Sequence, residues 1–480
     1  MKISILSGGT ATNELVPLFN NLTDDISYIL PISDNGGSTS ELIRVIGGPA
    51  IGDIRSRLTR LIPEKEKGLR KLLTFRLSDD AKLAKVQWND IVDGSHELWR
   101  DIEPSTREIF RAFFIHVNVE LLKRSKHQSS AHTTKKQFRY ELANVGNLFL
   151  TGARLFIGSL DSSIELFSKL SGIDPKVEVL PCINTNFTYH ISALLKNGLI
   201  ITGQSQISHP SEDKLPDNYP PPINKTRPST PTQEHPPLAS EDSYFSNLSY
   251  TSPIGNITTM NHSFSENFSE FSDVSDDEES GNVPQYTHPE LKKSQLHFSK
   301  TEAIEPLLSP IERIFYVSPY GEEIRPTAHH KVCSTIASSD VVVYSIGSLM
   351  TSILPIVVLK GVGKAIAADS SKVNKKRILL LNGCHDRETF GMQAIDFVRV
   401  IVESATYSFK QKHDGDNTIS SIHQWDRFVT HLFYMENPKI HVDVDQLSER
   451  GVKCVEIKRD QSEDYFDLHD LQYKLTEIAT

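Results

Sequence analysis

The sequence predicts an α/β protein with a mostly parallel sheet and a helical subdomain, and three observations carry that prediction. The chain opens with a short apolar run, KISILS (residues 2–7), that stops at Gly8 and Gly9 and leads into an apolar-periodic stretch with Leu15, Leu18, Phe19 and Leu22. Far downstream, DVVVYSIG and RILLLNG repeat that form, each an apolar run ending at glycine before a helical stretch, the pattern of strands buried on both faces. Between them, residues 66–127 show helical periodicity and no strand pattern.

In chain order, the strand at 2–7 is followed by a turn and helix and then by a second β-type run, ISYILPI (26–32), that ends in SDNGGSTS. This is a βαβ unit, whose right-handed crossover puts both loops at the carboxyl edge of a parallel sheet. Ser38 and Glu41 have capping-box spacing, so the next helix is expected to start at Ser38. Asp53 then stands in an N-cap position before Leu58, Leu61 and Ile62. The helical stretch carries Trp88, Trp99 and a long amphipathic run from Glu103 to Leu122. Residues 144–170 keep the helical period, KVEVLP and GLIITGQSQI read as strands in which the sheet resumes, and FVTHLFYM and VKCVEIK read as the last strands.

Composition bounds the rest. Hydrophobic residues make up 38% of 480 residues, and the dilution traces to residues 209–300, dense in Pro, Ser, Asn, Thr and acids. Such a segment cannot offset its ordering entropy and is expected to be disordered. Its cluster at Ser275, followed by Asp276, Asp277, Glu278 and Glu279, suits an acid-directed phosphorylation site or a solvating linker. The expected division is 1–65, first part of the core; 66–143, helical subdomain; 144–208, core continued; 209–300, insert; and 301–480, second half of the core with a C-terminal segment. A net charge of −10 argues against general nucleic-acid binding, no stretch reaches the ~20 apolar residues of a membrane span, and Cys182, Cys333, Cys384 and Cys454 form no CxxC pair. A cytoplasmic protein is expected.

Four glycine turns fall at strand-to-helix junctions or helix starts: Gly8-Gly9-Thr10, Gly36-Gly37-Ser38, Val145-Gly146-Asn147 and Gly347-Ser348. Backbone N–H groups in such turns can approach a phosphate closely, although a tight turn needs glycine for conformational reasons as well. Neither GxGxxG nor GxxxxGK[ST] is present. Asp34 at the end of the second strand is a candidate Mg²⁺ ligand or proton acceptor, and Asp53 is a candidate for the same work or for helix capping. Arg55 and Arg57 suit a phosphate or a carboxylate partner. His385, Asp386 and Arg387 follow RILLLNG as a loop cap or, less favourably, a metal-hydrolase doublet; Asn184, Thr185 and Asn186 are second-rank ligand contacts.

The segments SGGT (7–10), SDNGGSTSELIRVIGGPAIGDIRSRL (33–58), NVGNLFLTGARLFIGSLDSSIELF (144–167), GQSQISHP (203–210), YSIGSLMTSILP (344–355) and LLLNGCHDRET (379–389) resemble, in order, the 2-phospho-lactate transferase (CofD) and YvcK-like family, in particular its eukaryotic-type branch. The resemblance implies a Rossmann-like three-layer α/β/α fold, often dimeric. In the transferase branch a guanylyl-activated phospholactate gives its phospholactyl group to a deazaflavin alcohol with a divalent metal, Mg²⁺. The YvcK-like branch is associated with nucleotide-sugar binding and regulation of carbon metabolism. By motif, the ligand loops would hold Gly8, Gly9 and Thr10, then Asp34, Asn35, Gly36, Gly37 and Ser38, then Gly52 and Asp53, then Asn144, Gly146 and Asn147, and finally Gly347, Ser348 and Thr351, with Asp34 nearest the transferred group. Here the first motif reads SGGTA, Asn35 replaces the second of two adjacent aspartates, and GPGS is reduced to IGS.

Overall fold

In β1 (Lys2–Leu6), Ile3 and Ile5 join one buried cluster and Leu6 the opposite one, as a strand covered on both faces requires. The computed structural model describes residues 1–33, 36–126, 137–208, 288, 306–368, 375–409, 424–460 and 465–479. The Ser275 cluster and, apart from His288, the 209–300 segment lie outside them.

After β1 and a 3₁₀ turn, α1 (Val16–Leu22), with Pro17 in its first turn, leads to β2 (Asp25–Leu30), which pairs parallel with β1. Two helices follow, α2 (Gly37–Val45) and α3 (Gly52–Leu61). The all-helical stretch then supplies α4 (Lys67–Thr74), α5 (Ala81–Asp93) and α6 (Pro104–Lys126). Asp80 caps α5 by accepting from the Leu83 N–H, and Trp88 packs edge-on to Phe114 at 5.6 Å between α5 and α6. The pair α7 (Val145–Ile157) and α8 (Leu160–Leu170) turns at Gly158 before β3 (Val177–Pro181), which pairs parallel with β2.

The next segment departs from the sequence reading. β4 (His190–Leu195), β5 (Ile200–Thr202), β6 (Ile311–Val317) and β7 (Glu323–Ile324) form a separate antiparallel sheet in the order β5-β4-β6-β7. GLIITGQSQI is therefore not one strand of the main sheet. Its strand is three residues long, Gly203 takes φ +91°, and α9 (Gln204–Ser208) follows.

Beyond the insert, α10 (His330–Ser338) and β8 (Val341–Tyr344) lead into a π-helical turn (Leu349–Ile353), α11 (Leu354–Val357) and α12 (Val362–Ala367). The single helical run expected there is broken, because Pro355 removes a backbone donor and Gly361 adopts φ +100°. Then come β9 (Lys376–Leu380), α13 (Ala394–Phe409), β10 (His431–Met435), α14 (Val444–Glu449), β11 (Lys453–Ile457) and α15 (Leu468–Ala479).

The main sheet has seven strands in the order β11-β10-β9-β8-β1-β2-β3, and every pairing is parallel. On one face Ile3, Ile5, Val341, Val343, Ile378 and Leu380 pack with Phe19 of α1 and Leu471 and Leu475 of α15. On the other, Leu6, Val342, Tyr344 and Leu379 belong to a core that includes Leu58 of α3 and Val398 of α13. This is the three-layer α/β/α Rossmann-like fold. Strand order runs outward in opposite directions from β1 and from β8, so the crevice beyond their carboxyl ends is the switch point where open α/β sheets take ligands.

Candidate functional site

At that switch point lies a cleft of 430 Å³, walled by the loops after β1 and β8, the starts of α2 and α3, the first turn of α7, the end of α9 and the loop after β9. Hydrogen bonds hold the two central loops together. The Thr12 hydroxyl donates to Ser345 Oγ at 2.9 Å, and Asn382 clamps Gly347 by accepting from its N–H at 3.0 Å and donating to its carbonyl at 2.7 Å. Gly347 takes φ +122°, a conformation side-chain-bearing residues rarely adopt.

The loop after β1 sits hard against α3. A Cβ on Gly9 would stand 2.6 Å from Asp53 Cα, so only glycine lets this loop approach the helix start. From beneath, Arg57 donates to the Gly8 carbonyl at 3.1 Å and lies over the Tyr28 ring at 4.5 Å; Ser56 Oγ donates to the Gly9 carbonyl at 3.1 Å. Among the described residues nothing accepts a hydrogen bond from the N–H groups of Gly8, Gly9 or Thr10. These amides, with the first turns of α2 and α3, form a wall of donors and positive helix ends suited to an anion.

Two arginines add charge there. Arg55 lines the cleft and donates to Asn147 Oδ1 at 3.2 Å; burial and the neighbouring Arg76 guanidinium bring it down to about 10, so it stays cationic at neutral pH. Arg76 lines the same cleft. Asp53 lines it too and favours the charged form of Arg55.

The opposite wall is built around a residue that sequence reasoning passed over. Glu388 is 4% exposed, and its carboxylate accepts from Thr351 Oγ1 at 2.9 Å and from the hydroxyls of Ser208 and Ser348. Burial, reinforced by the Asp386 charge, pushes Glu388 up to about 7. Asp386 shapes the loop, its Oδ1 accepting from the N–H groups of Glu388 and Thr389 and from the Thr389 hydroxyl. The available signal was position: a second acid in the same strand-end loop as Asp386.

The family profile described as 2-phospho-L-lactate transferase CofD matches residues 3–459. The chain belongs to this family. A Saccharomyces cerevisiae protein described as uncharacterized, YNL011C, is 40% identical over 490 residues, spanning 100% of this chain and 99% of its own length. A Thermotoga maritima protein described as a putative gluconeogenesis factor is 29% identical over 80 residues, 16% of this chain and 25% of its own. In fold, the chain is similar to the Bacillus halodurans protein BH3568, described as a member of the UPF0052 family. Two crystal structures of it align with TM-score 0.54 at 15% and 16% identity, each covering 100% of this chain and 98% or 99% of the other.

Of the residues that the CofD resemblance singles out, Gly8, Gly9, Thr10, Gly36, Gly37, Ser38, Gly52, Asp53, Asn147, Gly347, Ser348 and Thr351 line this one cleft. Asp34 and Asn35 lie outside the described residues. Asn144 and Gly146 stand behind the wall. Asn144 caps α7 by accepting from the Gly146 and Asn147 N–H groups, and Gly146 packs against the Leu73 carbonyl and Arg55. Two local expectations are corrected. Helix α2 starts at Gly37 on Gly36, because Ser38 Oγ instead accepts from the Asn144 N–H at 2.9 Å and from Asn147 Nδ2 at 3.2 Å. Glu41 is drawn to Arg44 and Arg139 rather than to a helix cap; their hydrogen bonds outweigh its burial and hold it below the usual carboxylate range. Asp53 is the second residue of α3, with Ile51 at the N-cap. His385 Nδ1 bonds to the Thr389 carbonyl at 2.9 Å, as a loop-bound histidine does. Asn186 donates to the Gly158 carbonyl at 2.7 Å, and Asn184, Thr185 and Asn186 are not part of the cleft wall. Among the described residues no helix is long and apolar enough to cross a membrane.

Proposed function

We propose that this protein binds a nucleotide-linked phosphometabolite in the switch-point cleft and transfers a substituted phosphoryl group from a nucleoside-diphosphate carrier to an alcohol. The observation that carries the reading is convergence. The glycine loop after β1, the starts of α2 and α3, and the Arg55 and Arg76 side chains border one side of a single cavity that the glycine loop after β8 closes. Phosphate oxygens accept only, and this wall supplies backbone donors, helix-start dipoles and two cations.

In the transfer, the acceptor's oxygen bonds to phosphorus as the bond to the departing nucleoside monophosphate breaks, and the acceptor's proton passes to a carboxylate. Asp53, at the start of α3 beside Gly8 and Gly9, is the described residue suited to that role; by its place in the family motif, Asp34 is proposed to share it. The hard oxygen donors fit Mg²⁺, which needs one or two carboxylates in addition to phosphate oxygens, and Asp53 and Asp34 would hold it. Bound there, the ion would neutralise charge on the phosphates. A cytoplasmic homodimer is proposed as the working form.

A thermal-shift screen of nucleoside diphosphates and nucleotide-sugars, with and without Mg²⁺, tests the binding, alongside mass spectrometry of co-purified ligand. Stabilisation by at least one nucleotide class is expected, with Asp53→Asn retaining nucleotide and losing turnover. If no member of the panel binds, the reading is wrong.

A further inference from the structure

The phosphate wall accounts for one side of the cleft and leaves the Glu388 side without a ligand. Glu388 is almost wholly buried, yet its three hydroxyl partners, Ser208, Ser348 and Thr351, all line the cavity. Each hydroxyl has one proton to give and two lone pairs. The hydrogen bonds to Glu388 direct those protons inward, from Ser208 and Thr351 to Oε1 and from Ser348 to Oε2. Ser348 Oγ already accepts from the Thr351 N–H at 2.9 Å and Ser208 Oγ from Gln204 Nε2 at 3.4 Å, which leaves each of these two oxygens one further lone pair for whatever fills the cleft.

We propose that Glu388 is a positioning residue that makes this wall the seat of the ligand's hydroxyl-bearing half, a sugar or alcohol, across the cleft from its phosphates. The proposal rests on the nucleotide-linked reading above and adds to it an orientation and the residue that sets it. Hydroxyl oxygens whose protons are taken by Glu388 offer acceptors to O–H groups and none of their own donors to phosphate oxygens, and Asp386 borders the same wall. The remaining charged groups on the cleft are Arg387 in the same loop and Asp53, Arg55 and Arg76 on the far side. Protonation of Glu388 would free a hydroxyl proton to point outward and convert an acceptor into a donor. Hydroxyl recognition therefore strengthens as Glu388 ionises around pH 7.

Calorimetric titration of the full chain with UDP and GDP, and with UDP-glucose and GDP-mannose, tests this at about pH 6 and about pH 8. In the wild type, the ratio of nucleotide-sugar to nucleoside-diphosphate affinity is expected to rise with pH. In Glu388→Gln, whose amide imitates the protonated acid, that ratio falls about tenfold and loses its pH dependence. Thr351→Val, which deletes one hydroxyl and leaves the carboxylate, lowers the ratio in the same direction and serves if the glutamine variant does not fold. Equal losses for both ligand types, an unchanged ratio, or a wild type that binds the diphosphates but not the sugars would overturn the proposal while the phosphate site stands. A wild type that binds none of the four overturns both.

Discussion

A methyl group added at position 9 is the smallest change that tests how the glycine loop is seated. In Gly9→Ala the new Cβ would lie 2.6 Å from both Cα and Oδ1 of Asp53 and 3.0 Å from its carbonyl oxygen. Ordinary carbon contacts begin near 3.5 Å, so loop and helix must part by about 1 Å. They are tied together by Arg57 to the Gly8 carbonyl and Ser56 to the Gly9 carbonyl, both at 3.1 Å, and the methyl strains those bonds. Overpacking of this kind costs about 1–3 kcal/mol. A displacement of that size at a positioning loop costs up to about 10²-fold in productive binding or rate. Gly158→Ala is the control. Its φ of +81° makes alanine unfavourable by about 1–2 kcal/mol, but nothing lies within 4 Å of the added Cβ, so ligand affinity stays unchanged. Denaturant unfolding and calorimetric nucleotide titration measure both quantities. Wild-type nucleotide affinity in Gly9→Ala would refute the argument that this contact positions the site.

Three further outcomes follow from buried titratable groups. Glu388 is raised from 4.5 to about 7, so its contribution to stability is full below about pH 4.5 and is lost as pH rises through 7. Glu388→Gln is therefore expected to gain on the wild type with rising pH, by up to about 3 kcal/mol across that window, read from paired melting curves. His190 works in the opposite sense: burial lowers it from 6.5 to about 4, so its contribution is present above 6.5 and is lost as pH falls through 4, and His190→Gln moves acid unfolding to lower pH. Glu41→Ala, which strands Arg44 and Arg139, is expected to cost about 2–3 kcal/mol in denaturant unfolding, less than a fully buried pair because both arginines reach solvent.

How much of this was legible in sequence depended on how far apart the interacting residues lie. β1, β8 and β9 were readable because strands buried on both faces leave unbroken apolar runs such as VVVY and RILL. The antiparallel sheet was not, since β4 pairs with β6 from across the insert, His190 opposite Val317, and no local pattern announces that partner. Ser38 and Glu41 satisfy a local capping template, but partners about a hundred positions away, Asn144 and Arg139, claim them. Glu388 follows the same logic. As a loop glutamate it is ordinary, and its burial depends on Ser208, 180 positions earlier, and Ser348, 40 positions earlier. The glycine turns were visible individually; that four chain segments meet at one switch point follows from strand order.

Hydrogen–deuterium exchange of the full chain, with and without a saturating Mg²⁺–nucleoside diphosphate, tests the central claim most directly, because the site is built largely from backbone amides. New protection is predicted together in residues 8–11, 36–39 and 52–56, the segments that form the phosphate side of the cleft. Bound nucleotide with protection confined to other parts of the chain would contradict it.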